Sequence, residues 1–432
     1  VNARVSAVGK RTFAAMRFRN YRLYFFSQIV SFSGTWMAML AQSWLVLELT
    51  GSGTALGTVV AMQFLPTMLL APIGGVIADR FDKRRLITIT QSAAAVLALL
   101  LGVLTITDTI ELWMLYVIAA MFGSVTALDN PARQTFVMEM VGPDDVSNAV
   151  TLNSVVVNGA RVIGPAVGGV LIATVGIGQC FLINAASFVA VIIALRMMDG
   201  DQLHPTERTQ RGRGQLREGL RYAWAVPTLR TTLIMLVVIG TITYEFTVTL
   251  PLLAEFTFGA GSSGLAAMTA LMGGGAVVGG LFIAAAGNPT PRRLVAVAVA
   301  FGVVTGALAL MPTLWAALVL MPLVGACSVA VIALSNSTLQ LNSAPMFRGR
   351  VMALFSVALL GSTPIGGPIV GFIGEHVSPR AALGVGGLAS VAAAVFGWYA
   401  FAKVGDISDR RQVEIPARPD TTQPVISASA GS

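Results

Sequence analysis

The chain has 432 residues, 55% hydrophobic and only 11% charged, and carries 28 Lys and Arg against 20 Asp and Glu for a formal net charge of +8. Charged residues average about 25% in soluble domains, so this composition, with a mean hydropathy of +0.77, excludes a water-soluble fold. The basic balance does not point to nucleic acid, because the bases sit in short connections beside apolar runs and form no stripe interleaved with aromatics.

A hydrocarbon core of about 30 Å takes roughly 20 apolar residues per helix. Runs of that kind recur at 21–47, 55–78, 86–107, 112–133, 147–175, 180–197, 229–256, 263–286, 294–311, 314–338, 351–374 and 381–403. All the bases except Arg161 and Arg380 lie before or at the start of the first run, or in and beside the connections that follow even-numbered runs. Lys and Arg are retained on the cytoplasmic side during insertion. The expectation is therefore a multi-pass protein of a bacterial inner membrane, with both termini cytoplasmic. No small-residue cleavage pattern follows the first run, which reads as a retained span. The implied division is a basic cytoplasmic segment 1–20, a six-helix bundle 21–197, a polar Arg-rich link 198–228, a second bundle 229–403 and a flexible tail 404–432 rich in Pro, Ser and Thr.

In the first run, Gln28, Ser31, Thr35 and Gln42 share one side of a helix, with Trp36 and Met37 beside it. They can line a substrate cavity or bond to neighbouring helices. A cavity of amides, hydroxyls, Met and aromatics suits large, mostly apolar molecules with scattered polar groups.

Between the second and third runs stands Gly75-Val76-Ile77-Ala78-Asp79-Arg80-Phe81-Asp82-Lys83-Arg84-Arg85. Asp79, at the inner end of the second helix, can face the start of the eleventh, where unpaired backbone N–H groups favour an anion. Arg348 and Arg350 sit at that start and can pair with Asp79 or with Glu139. One reading is a latch over the cytoplasmic side; the other is that these charges anchor loop ends among lipid head groups.

Charges inside the membrane cost about 3 kcal/mol or more at a helix centre, so each is expected to face a cavity or a partner. Asp129 and Arg133, four apart in the fourth run, can pair with each other. Arg161 follows Ser154 and Asn158 on one face of the fifth. Glu245 lies mid-run in the seventh beside Tyr244, with Thr241 and Thr249 four residues to either side, predicting a polar stripe on a regular helix. A carboxyl exchanging protons with two aqueous phases needs intermittent access and a tunable pKa. Glu245 is the first candidate and Asp129 the second, with Arg161 as the cation that modulates or orients; a structural hydrogen bond is the competing role for Glu245.

The two halves repeat. Gly164-Pro165-Ala166-Val167-Gly168-Gly169 in the fifth run matches Gly367-Pro368-Ile369-Val370-Gly371 in the eleventh. Small residues let helix backbones approach and proline can kink them, so both patches are expected to serve packing and hinging. Repeated six-helix halves are the plan of transporters that rock about a midplane site.

Other classes fit poorly. The two histidines, His204 and His376, lie far apart without metal-binding spacing, Cys180 and Cys327 form no disulfide framework, and no phosphate-binding loop is present. No enzyme, metal, cofactor or ATP drive is expected.

The Gly75 to Arg85 stretch resembles the signature loop of the major facilitator superfamily, with Asp82 where that pattern has its second glycine. Further likeness lies in Asp129-Asn130-Pro131-Ala132-Arg133-Gln134, Asn148-Ala149, Asn158-Gly159-Ala160-Arg161 and Pro251-Leu252-Leu253-Ala254. These resemble the drug-exporting branch that includes macrolide and enterobactin exporters. The resemblance implies an all-α fold of two pseudo-symmetric six-helix bundles, and gives the signature loop, through Gly75, Asp79, Arg80, Lys83 and Arg84, its latch role. It implies a monomeric exporter of amphiphilic small molecules in exchange for protons, with lipids and no nucleic acid as partners. A dedicated exporter of one metabolite such as a siderophore, and a non-transporting sensor or scaffold, are the alternatives.

Overall fold

The computed structural model describes residues 14–204, 215–285 and 289–408. The segment before Ala14, the 205–214 stretch of the Arg-rich link and the tail beyond Ser408 lie outside it. Among the described residues, twelve helices are long and apolar enough to cross a membrane. They are α1 (Arg19–Thr50), α2 (Gly53–Arg80), α3 (Lys83–Ile106), α4 (Leu112–Gly142), α5 (Asp145–Thr174) and α6 (Ile177–Arg196). After a short link helix, Gln215–Ala225, come α7 (Pro227–Thr257), α8 (Gly261–Ala285), α9 (Pro291–Ala309), α10 (Leu314–Leu341), α11 (Arg348–His376) and α12 (Pro379–Ser408).

Helices are what apolar runs of this length must form in lipid, where no water satisfies a free backbone N–H or C=O. Several of their starts are closed by side chains. Ser52 accepts from Ala55 N at the start of α2, Asp82 from Arg85 N at α3, Thr290 from Arg293 N at α9 and Thr313 from Ala316 N at α10. Asp82, standing where the signature loop has a glycine, is thus the N-cap of α3.

Three spans depart from the simple runs of the sequence. The fourth extends past the expected 133 to Gly142, whose φ of 71° and ψ of 175° end it and let α5 begin almost at once. The eleventh is split into Arg348–Leu360 and Thr363–His376. The seventh is broken near its middle, at the site described below.

The halves pack alike. A Cβ on Gly123 of α4 would lie 2.9 Å from the Gln63 carbonyl carbon of α2, and one on Gly325 of α10 would lie 2.8 Å from that of Met272 in α8. Glycine lets these backbones touch in both bundles. Between the halves, α2 meets α11 and α5 meets α8. The α2–α11 contact is closest towards the face poor in bases, where Gly53 and Gly57 back onto Gly371 and Gly367. At that rim Glu375 of α11 accepts from Ser52 Oγ (2.7 Å) and Thr54 N (2.8 Å) of the opposite half.

On the base-rich face three ion pairs among the described residues are local. Lys83 holds Glu139 (2.5 Å) and Arg17 holds Asp145 (2.5 Å) within the first half, while Arg350 holds Glu218 (2.8 Å) of the link helix. The repeated glycine patches therefore have different partners. Gly164 and Gly168 seat Trp36 and Met37 of α1 inside one half, whereas Gly367 and Gly371 form the seam between halves.

Candidate functional site

The break in α7 is written in its sequence. Pro251 has no N–H, so the Thr247 carbonyl four residues back loses its helical donor. The Ser43 hydroxyl of α1 lies 3.5 Å from that oxygen. Upstream, regular helix ends at Val238, Ile239–Thr243 is a wider π turn, and Glu245 takes φ −82° and ψ 46° before the helix resumes at Phe246. Wide turns of this kind insert a residue and change which side chains face inward.

The expected stripe of Thr241, Glu245 and Thr249 on a regular helix is therefore not what forms. Thr241 Oγ1 donates to Val237 O (2.6 Å) and Thr249 Oγ1 to Glu245 O (3.2 Å), each on its own helix. Instead, the consecutive residues Tyr244, Glu245, Phe246 and Thr247 line a central cavity of about 190 Å³ between the halves.

Across that cavity stand Trp36, Met39, Leu40 and Ser43 of α1 and Arg161 and Pro165 of α5; Met272, Ser328 and Thr363 close it from the second half. The Arg161 guanidinium sits 5.0 Å above the Trp36 ring, and its Nε is buried without a hydrogen-bond partner. Glu245 is 1% exposed, with Oε1 likewise unpartnered and the Thr363 hydroxyl beside its carboxyl group. Gly366 makes the room: a Cβ there would stand 2.9 Å from Glu245 Oε1. Asn158 is not part of these walls; its Nδ2 donates to Ser154 O (2.8 Å) one turn back.

Most of the polar face of α1 belongs elsewhere. Ser31, Thr35 and Gln42 line a smaller cavity of about 130 Å³ inside the first half, together with Gln91, Asp129, Arg133 and Asn184. There Arg133 pairs with Asp129 and donates to Gln28 Oε1. The other Asp129 oxygen accepts from Thr90 Oγ1 (2.5 Å) and Gln91 Nε2 (3.1 Å). Both oxygens of this carboxylate are engaged from within one half, in contrast to Glu245 Oε1. The residues of α1 that do reach the central cavity, Trp36, Met39, Leu40 and Ser43, recur at helical spacing and read in sequence as ordinary core.

Of the signature-loop residues, Arg80 is exposed, Lys83 bridges to Glu139, and Arg84 Nε donates to Leu195 O (2.8 Å), tying α3 to α6. The Asp79 side chain and the surroundings of Gly75 lie outside the described residues. Arg348 is exposed, Arg350 is held by Glu218 and Glu139 by Lys83, so neither Glu139 nor Arg350 pairs with the other.

A family described as transmembrane secretion effector matches residues 10–422. The multidrug efflux pump Tap of Mycobacterium tuberculosis is 26% identical over 376 residues, 82% of this chain and 88% of its own length. The staphyloferrin A transporter of Staphylococcus aureus is 32% identical over 176 residues, 40% of this chain and 44% of its own. The MFS-type transporter YfiS of Bacillus subtilis is 29% identical over 214 residues, 48% and 50% of the two chains. The matched stretches thus span about half the length of YfiS and of the staphyloferrin A transporter or less. Among solved structures, the nucleoside transporter NupG superposes with a TM-score of 0.71 at 12% identity, covering 89% of this chain and 99% of its own. A bacterial homologue of the lysosomal transporter Spinster, inward-facing and unoccupied, superposes at 0.66 and 14% identity, covering 92% and 99%.

Proposed function

This chain belongs to the major facilitator superfamily, whose members are membrane transporters and not enzymes, and from that premise we propose that it exports amphiphilic small molecules by proton antiport with alternating access. The observation that carries the reading is the central cavity. It is walled by both halves, it is mostly apolar and aromatic, and it holds one unpartnered carboxyl oxygen at a broken helix. Lipid-soluble molecules are accommodated by such walls through burial of apolar area, and broken helices at mid-depth are where transporters of this plan bind cargo.

In this reading the base-rich face is cytoplasmic, the membrane is the inner membrane, both termini are inside and the protein works as a monomer. The conformation is then open inward, its outer rim held by Glu375 on Ser52 and Thr54. The bundles 21–197 and 229–403 rock about the glycine seam of α2 with α11. Glu245 exchanges the proton, and Arg161 orients cargo. Asp129, fully engaged by Arg133, Thr90 and Gln91, serves the first bundle's architecture. When the rim opens, Asp79 and Arg80 close the cytoplasmic side against the start of α11.

The test is flux. Purified protein in proteoliposomes with an imposed pH gradient should concentrate a fluorescent amphiphilic dye on the side from which protons enter, and should alkalinise that compartment. Transport indifferent to the gradient would reject proton coupling. A second reading, export of one siderophore-like metabolite, is favoured by the likeness to the staphyloferrin A transporter and by the single cation in the cavity. A narrow cargo range in the same assay would select it.

A further inference from the structure

Arg161 and Glu245 line the same cavity, one from each half, and neither is paired with the other. Elsewhere this fold does pair its buried charges, as with Asp129 and Arg133 or Lys83 and Glu139. Among the described residues no acid forms an ion pair with Arg161, and Trp36 covers one face of its guanidinium, leaving Nε buried without an acceptor. Opposite it, Glu245 Oε1 is buried without a donor. An unsatisfied buried polar atom costs about 1–3 kcal/mol, and more when charged. Both side chains line one cavity, so together they are complementary to a molecule that brings an acceptor to the Arg161 guanidinium and a donor to the Glu245 carboxyl group. The rest of the lining is largely apolar, with Met39, Leu40, Phe246 and Met272 among it.

We propose that the cargo is a zwitterionic amphiphile whose oxyanion docks on Arg161 beside Trp36 and whose protonated amine docks on Glu245, with an apolar or aromatic frame between the two. This rests on the export reading of the cavity and sharpens its substrate class. The chemistry agrees with antiport: the amine and a proton compete for one carboxylate, so cargo binding and proton binding exclude each other, while the oxyanion on Arg161 takes no part in that competition. A cargo held at both ends also bridges the halves, so its binding energy depends on their spacing. That dependence is what allows a ligand to shift a conformational equilibrium.

Binding and flux separate the claims. Isothermal titration of the purified protein, without any gradient, compares an aminomethyl-naphthoic acid with its methyl ester, which keeps only the amine, and its N-acetyl derivative, which keeps only the acid. The zwitterion should bind about tenfold or more tighter than either, the worth of one charged hydrogen-bonded contact. Arg161→Gln should erase the advantage over the ester alone, and Glu245→Gln the advantage over the N-acetyl compound alone. Arg161→Lys, which keeps the charge, should retain part of the first advantage and guards against misfolding. Equal binding of the three compounds, binding of none, or an advantage untouched by both substitutions overturns the proposal. A zwitterion preference without proton-driven flux in proteoliposomes supports the proposal while rejecting antiport. Gradient-driven dye flux with no such preference overturns the proposal and leaves the export reading standing.

Discussion

Glu375, at the end of α11, accepts a 2.7 Å hydrogen bond from the Ser52 hydroxyl at the start of α2, and so joins the end of one half's fifth span to the start of the other half's second span. The same oxygen accepts from Thr54 N at 2.8 Å, which makes the carboxylate a cap on α2 supplied from across the seam. Removing the charge weakens two charge-assisted bonds at an exposed rim, where such contacts are worth up to about 1 kcal/mol. Glu375→Gln should therefore shift the balance between rim-closed and rim-open forms a few-fold without unfolding the protein. Labelling of a cysteine introduced on the cavity side of Ser52 should speed up from the base-poor side; unchanged labelling would dismiss the rim bond as a latch.

The glycine seam beneath it is a steric requirement. A Cβ on Gly57 would stand 2.6 Å from the Gly367 carbonyl carbon, and real Cβ atoms do not approach so closely. Gly57→Val should hold the two helices apart, abolish transport and leave expression near normal, because each bundle keeps its own core. Double electron–electron resonance between spin labels on α2 and α11 should report a longer distance at the base-poor ends. Wild-type flux with an unchanged distance would show that the seam yields.

Glu245→Gln keeps the side chain's shape but cannot release a proton. Uphill efflux driven by a pH gradient should be lost, whereas exchange or downhill movement should survive, since the cavity and the two halves persist. Proton movement on adding cargo to proteoliposomes reads this directly. A Gln variant that still moves protons and concentrates cargo like the parent makes Glu245 structural.

Asp129 and Arg133 give the opposite expectation. Breaking a buried ion pair by removing one partner costs about 3–5 kcal/mol, because a charge is left uncompensated. Asp129→Asn and Arg133→Ala should each lower thermal stability and yield strongly, and the double variant should recover part of the loss. Intact stability with selective loss of proton coupling would move the coupling role to Asp129.

Asp79→Asn should slow transport several-fold while cargo binding to the inward-open form is retained, since a latch acts only after the base-rich face closes. Cross-linking between the inner ends of α2 and α11 during turnover should fall in parallel. Normal flux by this variant would reduce the signature loop to an anchor in the head groups.

Composition, run length and the sidedness of the bases determined by themselves that the chain crosses a membrane twelve times in two related halves, because lipid permits no other backbone solution for such runs. The pairing of Asp129 with Arg133 was also legible, being a local consequence of four-residue spacing on one helix. What only the tertiary structure decided was which polar groups share a cavity. Gln28, Ser31, Thr35 and Gln42 fall on one face of α1, yet that face turns into the first half, while its neighbour bearing Trp36, Met39, Leu40 and Ser43 turns to the centre. A helix that is apolar all round carries no periodic mark of which side meets the other half. The stripe on α7 misled for a related reason: Pro251 and the π turn change the register after Val238, so consecutive residues from Tyr244 to Thr247 reach the cavity. Likewise, the two Gly-Pro patches are near copies in sequence. Only the assembled halves turn Gly164 and Gly168 against α1, and Gly367 and Gly371 into the seam with α2, since each glycine takes its role from the helix that faces it.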